Sequence, residues 1–94
     1  MFALQDLRFE HSATTYICTG HLRAALAATD GAVAVFADGT VGFGCWGAAV
    51  LASPAPMVVL WRRPAIETIL AAADGWVADA ARGMTRAALA AGAI

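Results

Sequence analysis

The sharpest break in the apolar pattern is Asp38-Gly39, which separates residues 32–37 (AVAVFA) from residues 40–46 (TVGFGCW). An Asp-Gly pair between two apolar runs predicts a β-hairpin closed by a two-residue type I′ turn, in which both turn residues need positive φ. Such a turn sets Phe36 opposite Val41, Ala34 opposite Phe43 and Ala32 opposite Cys45, with Val35 against Gly42 and Val33 against Gly44 on the other side. Both faces of the predicted hairpin are therefore apolar.

The flanking pattern supplies the other elements. Residues 14–19 (TTYICT) are rich in β-branched and aromatic types and predict a strand. Residues 7–10 (LRFE) alternate and predict an added edge strand, and residues 21–28 (HLRAALAA) predict a short helix closed by Thr29-Asp30-Gly31. Ser53-Pro54-Ala55-Pro56 marks a turn, after which residues 57–61 (MVVLW) predict a buried strand. Pro64 stands where a helix accepts proline, with Glu67 near the positive end of the dipole. Ile66, Ile69, Leu70, Ala73, Val77, Ala80 and Met84 then recur at helical spacing, with Gly75 and Gly83 as the places where that helix would kink or break. The pattern predicts a single α+β domain over residues 1–94. Its sheet is mainly antiparallel with four to five strands, and a short helix and a long C-terminal helix lie on one face.

Composition bears on the sheet's other face. Hydrophobic residues make up 61% of the chain, 25 of them Ala, and only 14% is charged. A typical globular chain is about 25% charged. If one helical layer covers one face, a second apolar face of ~300 Å² left wet forfeits ~7 kcal/mol at 25 cal/mol per Å². The expectation is a non-catalytic structural or interaction subunit of a bacterial or phage type of assembly, bound to itself or to a larger protein. The expected contact residues are Val33, Val35, Phe36, Val41 and Phe43, with Trp46 and Trp61 as anchors. The competing expectation is that residues 1–13 fold over that face.

Charge and targeting signals narrow the partners. A net charge of −1 exerts no overall pull on nucleic acid or anionic lipid. Residues 1–10 lack the basic start and unbroken apolar run of a signal peptide, which places the protein in the cytoplasm by default. Residues 40–61 carry no charge and precede Arg62-Arg63, the length of a membrane span. Gly42, Gly44, Gly47, Pro54 and Pro56 interrupt that run, which speaks against a spanning helix.

Candidate chemistry is sparse. Cys18 and His21 lie three apart, and Cys45 or His11 could join them as metal ligands or as a thiol centre. A thiol- or metal-dependent enzyme built on Cys18, His21 and Cys45 is one alternative function. The simpler reading has two free, buried thiols and a solvent-facing His21 at a helix start, with no catalytic residue, metal or cofactor. Asp30 and Asp38 fall in turns, and Asp74 and Asp79 are too poorly placed to share a site. The glycines of residues 39–47 alternate in strand register, unlike a phosphate-binding loop.

Residues 77–89 (VADAARGMTRAAL) resemble a helix-turn-helix, with Gly83 in the turn and Thr85-Arg86 opening the recognition helix. Asp79 stands where that pattern expects a small residue, and only Arg82 and Arg86 are at hand for phosphate. The resemblance implies a second alternative, a small DNA-binding regulator using residues 77–94.

Overall fold

The structure is a computed structural model that describes residues 16–93. Strand β1 (Gly31–Phe36) lies at the centre of an antiparallel sheet, between β2 (Val41–Cys45) and β3 (Met57–Arg62). The helices are α1 (Thr19–Ala27), α2 (Trp46–Val50), α3 (Arg63–Ala72) and α4 (Val77–Ala90). The class is α+β, but the described sheet has three strands where four to five were expected. The edge strand expected at residues 7–10 lies outside the described residues, as does the cover expected from residues 1–13.

The strand expected at residues 14–19 does not form in its described part. Residues 16–18 are irregular and Thr19 already begins α1. Two side chains take the hydrogen bonds a strand would have used. Thr85 Oγ1, on α4, accepts the Ile17 N–H at 2.8 Å and donates to the Ala81 carbonyl at 2.9 Å. His21 Nδ1 accepts the Cys18 N–H at 3.3 Å, so Cys18 becomes the residue that opens the helix. Ile17 is fully buried as a result, wedged between the start of α1 and the C-terminal helix.

Asp38-Gly39 does close a hairpin, with a loop one residue longer than expected. Phe36 N–H donates to the Thr40 carbonyl at 3.0 Å, and Gly39 N–H donates to the Phe36 carbonyl at 2.9 Å. Only Gly39 has positive φ, 86°, and Asp38 does not, so the type I′ turn is replaced by the three-residue loop with a left-handed glycine. Asp38 instead accepts the Thr40 N–H at 2.9 Å. The extra loop residue moves the register by one. Val33 pairs with Phe43 and Val35 with Val41, while Ala34 meets Gly42 and Ala32 meets Gly44. A one-residue slip exchanges which side chains share a face. It gathers the large side chains on one face and leaves small ones, with Phe36, on the other.

The large-residue face carries the main core. Val33, Val35, Val41, Phe43, Val59 and Trp61 pack against Leu22, Ala25, Ile66, Ile69, Leu70, Ala80, Met84 and Ala88 of α1, α3 and α4. The opposite face is covered as well, contrary to the arrangement with all helices on one side. Helix α2 lies across Gly42, where a Cβ would stand 2.2 Å from the Ala49 carbonyl oxygen and 2.8 Å from the Ala52 Cβ. The loop after α2 is tied to the hairpin tip by Ser53 Oγ donating to Asp38 at 2.7 Å and by Ala37 N–H donating to the Pro56 carbonyl at 2.8 Å. Every residue of β1 is buried.

The long helix is broken at Gly75, not at Gly83. Helix α3 ends with Asp74 and Gly75 at φ 56° and 81°, and Gly75 N–H returns to the Leu70 carbonyl at 2.9 Å. Two successive left-handed residues cannot continue a right-handed helix. Gly83 sits inside α4 without interrupting it. Arg63 joins α3 to α1, with its guanidinium donating to the Ala28 carbonyl at 2.8 Å and to Glu67 at 3.1 Å.

Candidate functional site

The residues expected to meet a partner are largely consumed by the fold. Val33, Val35 and Phe36 are at most 1% exposed and Trp61 is 8% exposed. Val41 and Phe43 are half-buried against the core cluster. Trp46 is half-buried beneath Arg62, whose guanidinium carbon lies 3.8 Å from the centre of the indole ring. Arg62 also grips Asp30 with two bonds of 2.9 Å, so it forms a polar clasp at the end of the sheet. The reason for this burial is the cover on both faces of β1. The surplus of apolar sheet surface inferred from sequence is met within the chain.

The apolar surface that remains exposed lies elsewhere. Leu51 is 82% exposed, and Met57 and Val58 are each nearly 40% exposed. They belong to one uncharged stretch, residues 51–58 (LASPAPMV), in which Pro54 and Pro56 also face outward. This stretch runs from the end of α2 into β3, the outer strand of the sheet. Among the described residues no strand pairs with the outer side of β3. The β1–β3 register changes by one between Val35↔Val59 and Phe36↔Met57, which makes Val58 the extra residue of a bulge. Exposed Trp76 and Leu89 stand apart, one between α3 and α4 and the other near the end of α4.

Sequence reasoning missed Leu51, Met57 and Val58 as surface residues. Residues 57–61 were expected as a buried strand, but Met57 and Val58 at its start are exposed, and the available signal was the absence of charge across residues 40–61. Among the described residues no helix is long and apolar enough to cross a membrane.

Cys18 and His21 meet at the start of α1, where the imidazole Nδ1 accepts the Cys18 N–H. The His21 ring packs on the Phe43 ring with centroids 4.6 Å apart, whereas Ala25, one turn on, sits over Gly31, the strand partner of Cys45. Both thiols are free, but Cys18 is only half-buried and Cys45 is exposed, which corrects the expectation of two buried thiols. His21 is 2% exposed rather than facing solvent. Burial holds its pKa down at about 4, because charging the imidazole there costs its hydration. Among the described residues no group of three or more His, Cys, Asp or Glu could hold a metal ion.

At the hairpin tip, the Thr40 N–H and the Ser53 hydroxyl hold the Asp38 carboxyl below its ordinary pKa. Nearby Tyr16 is raised by partial burial and by the Asp38 charge. These bonds fasten the loop before β3 to the hairpin and thereby fix the position of residues 51–58. Among the described residues the turn expected at Gly83 does not form: Gly83 lies within the continuous helix α4, and Thr85 is fully buried. Arg82 is paired with Asp79 on the same helix. The chain matches no protein-family model, no curated protein and no solved structure.

Proposed function

We propose that the protein is a non-catalytic interaction subunit, which binds a second copy of itself or a larger protein through an apolar surface. That surface is residues 51–58 rather than the hairpin face, with Leu51, Met57 and Val58 as its large side chains. The supporting observation is the 82% exposure of Leu51 inside a stretch without a single charge. Isolated exposed leucines are common, but an uncharged run beside an open sheet edge is what soluble monomers ordinarily avoid.

The size of the surface sets the strength of the contact. The exposed parts of Leu51, Met57 and Val58 amount to roughly one and a half whole side chains, worth ~2–5 kcal/mol when covered. That suits a transient contact or one sector of a larger interface, not an obligate core shared between subunits.

The test compares wild type with Leu51→Asp/Val58→Asp, both first shown by circular dichroism to be folded. Amide shifts in residues 51–62 that grow with concentration, or a protein that co-purifies with wild type and is lost with the variant, are the expected results. Unchanged spectra up to millimolar concentration, together with identical co-purification profiles for the two proteins, refute the proposal.

A further inference from the structure

No further inference is drawn: the strongest candidate, the apolar surface of residues 51–58 with the open outer edge of β3, belongs to the site already described, and nothing in the structure shows what covers it.

Discussion

Gly42→Ala tests the cover on the second face of the sheet. The new Cβ would lie 2.2 Å from the Ala49 carbonyl oxygen and 2.8 Å from the Ala52 Cβ. Carbon atoms in contact prefer ~3.5–4.0 Å, so α2 must retreat by about 1 Å or leave the sheet. If the strain is absorbed in place, overpacking of this kind costs ~1–3 kcal/mol. If α2 detaches, Phe36 and its small neighbours become wet, and the loss approaches ~4 kcal/mol. Either value is a large share of the ~5–14 kcal/mol expected for a chain of this length. The assay is urea unfolding followed by far-ultraviolet circular dichroism, with Gly47→Ala as control. Gly47 lies in α2 with nothing within 4 Å of its ideal Cβ. Alanine there should raise stability by ~0.5–1 kcal/mol through helix propensity. Should Gly42→Ala unfold at the wild-type midpoint with the same slope, α2 does not lie against Gly42 and the account of the second face fails.

Three further outcomes follow from the same contacts. His21 has a pKa near 4 when folded, against 6.5 when exposed, so the unfolded chain takes up its proton first as pH falls. Its contribution is complete above the unfolded pKa and is lost downward to the folded one, a total of ~3 kcal/mol. Unfolding free energies measured at pH 7, 5 and 4 should show this slope in wild type and lack it in His21→Gln; equal slopes in the two proteins contradict a buried neutral imidazole. Thr85→Val leaves the buried Ile17 N–H without its acceptor and should cost ~1–3 kcal/mol in denaturant unfolding, with Thr85→Ser closer to wild type. Asp74→Val alters an exposed side chain yet should lower stability by ~1–2 kcal/mol, because φ at this position is 56°; a neutral result by the same assay removes the left-handed helix ending.

The burial of Val33, Val35 and Phe36 within the chain has a specific cause. The Asp-Gly pair signalled a hairpin, but one additional loop residue changed every cross-strand pair. Val33 and Val35, expected opposite glycines, instead meet Phe43 and Val41 and point into the core. Glycine then faces α2, a five-residue helix of small and apolar residues too short to show a helical period. The charge-free stretch of residues 40–61 and its strands were visible in the sequence, whereas the covering helix α2 and the exposure of Leu51, Met57 and Val58 were not.

Near-neighbour chemistry alone determined the location of the hairpin, the β3 strand, the apolar stripe of the C-terminal segment and Gly75 as one of two candidate breaks. Each depends on residues a few positions apart, where turn preference, periodicity and backbone sterics act without reference to the rest of the chain. The tertiary structure decided the fate of residues 16–18, the burial of His21, the cover on both faces of β1 and the exposure of Leu51. Those outcomes depend on groups distant in sequence, such as Ile17 and Thr85, 68 positions apart. A hydrogen bond or a close backbone approach between such groups exists only once the elements have docked, and no local preference encodes it.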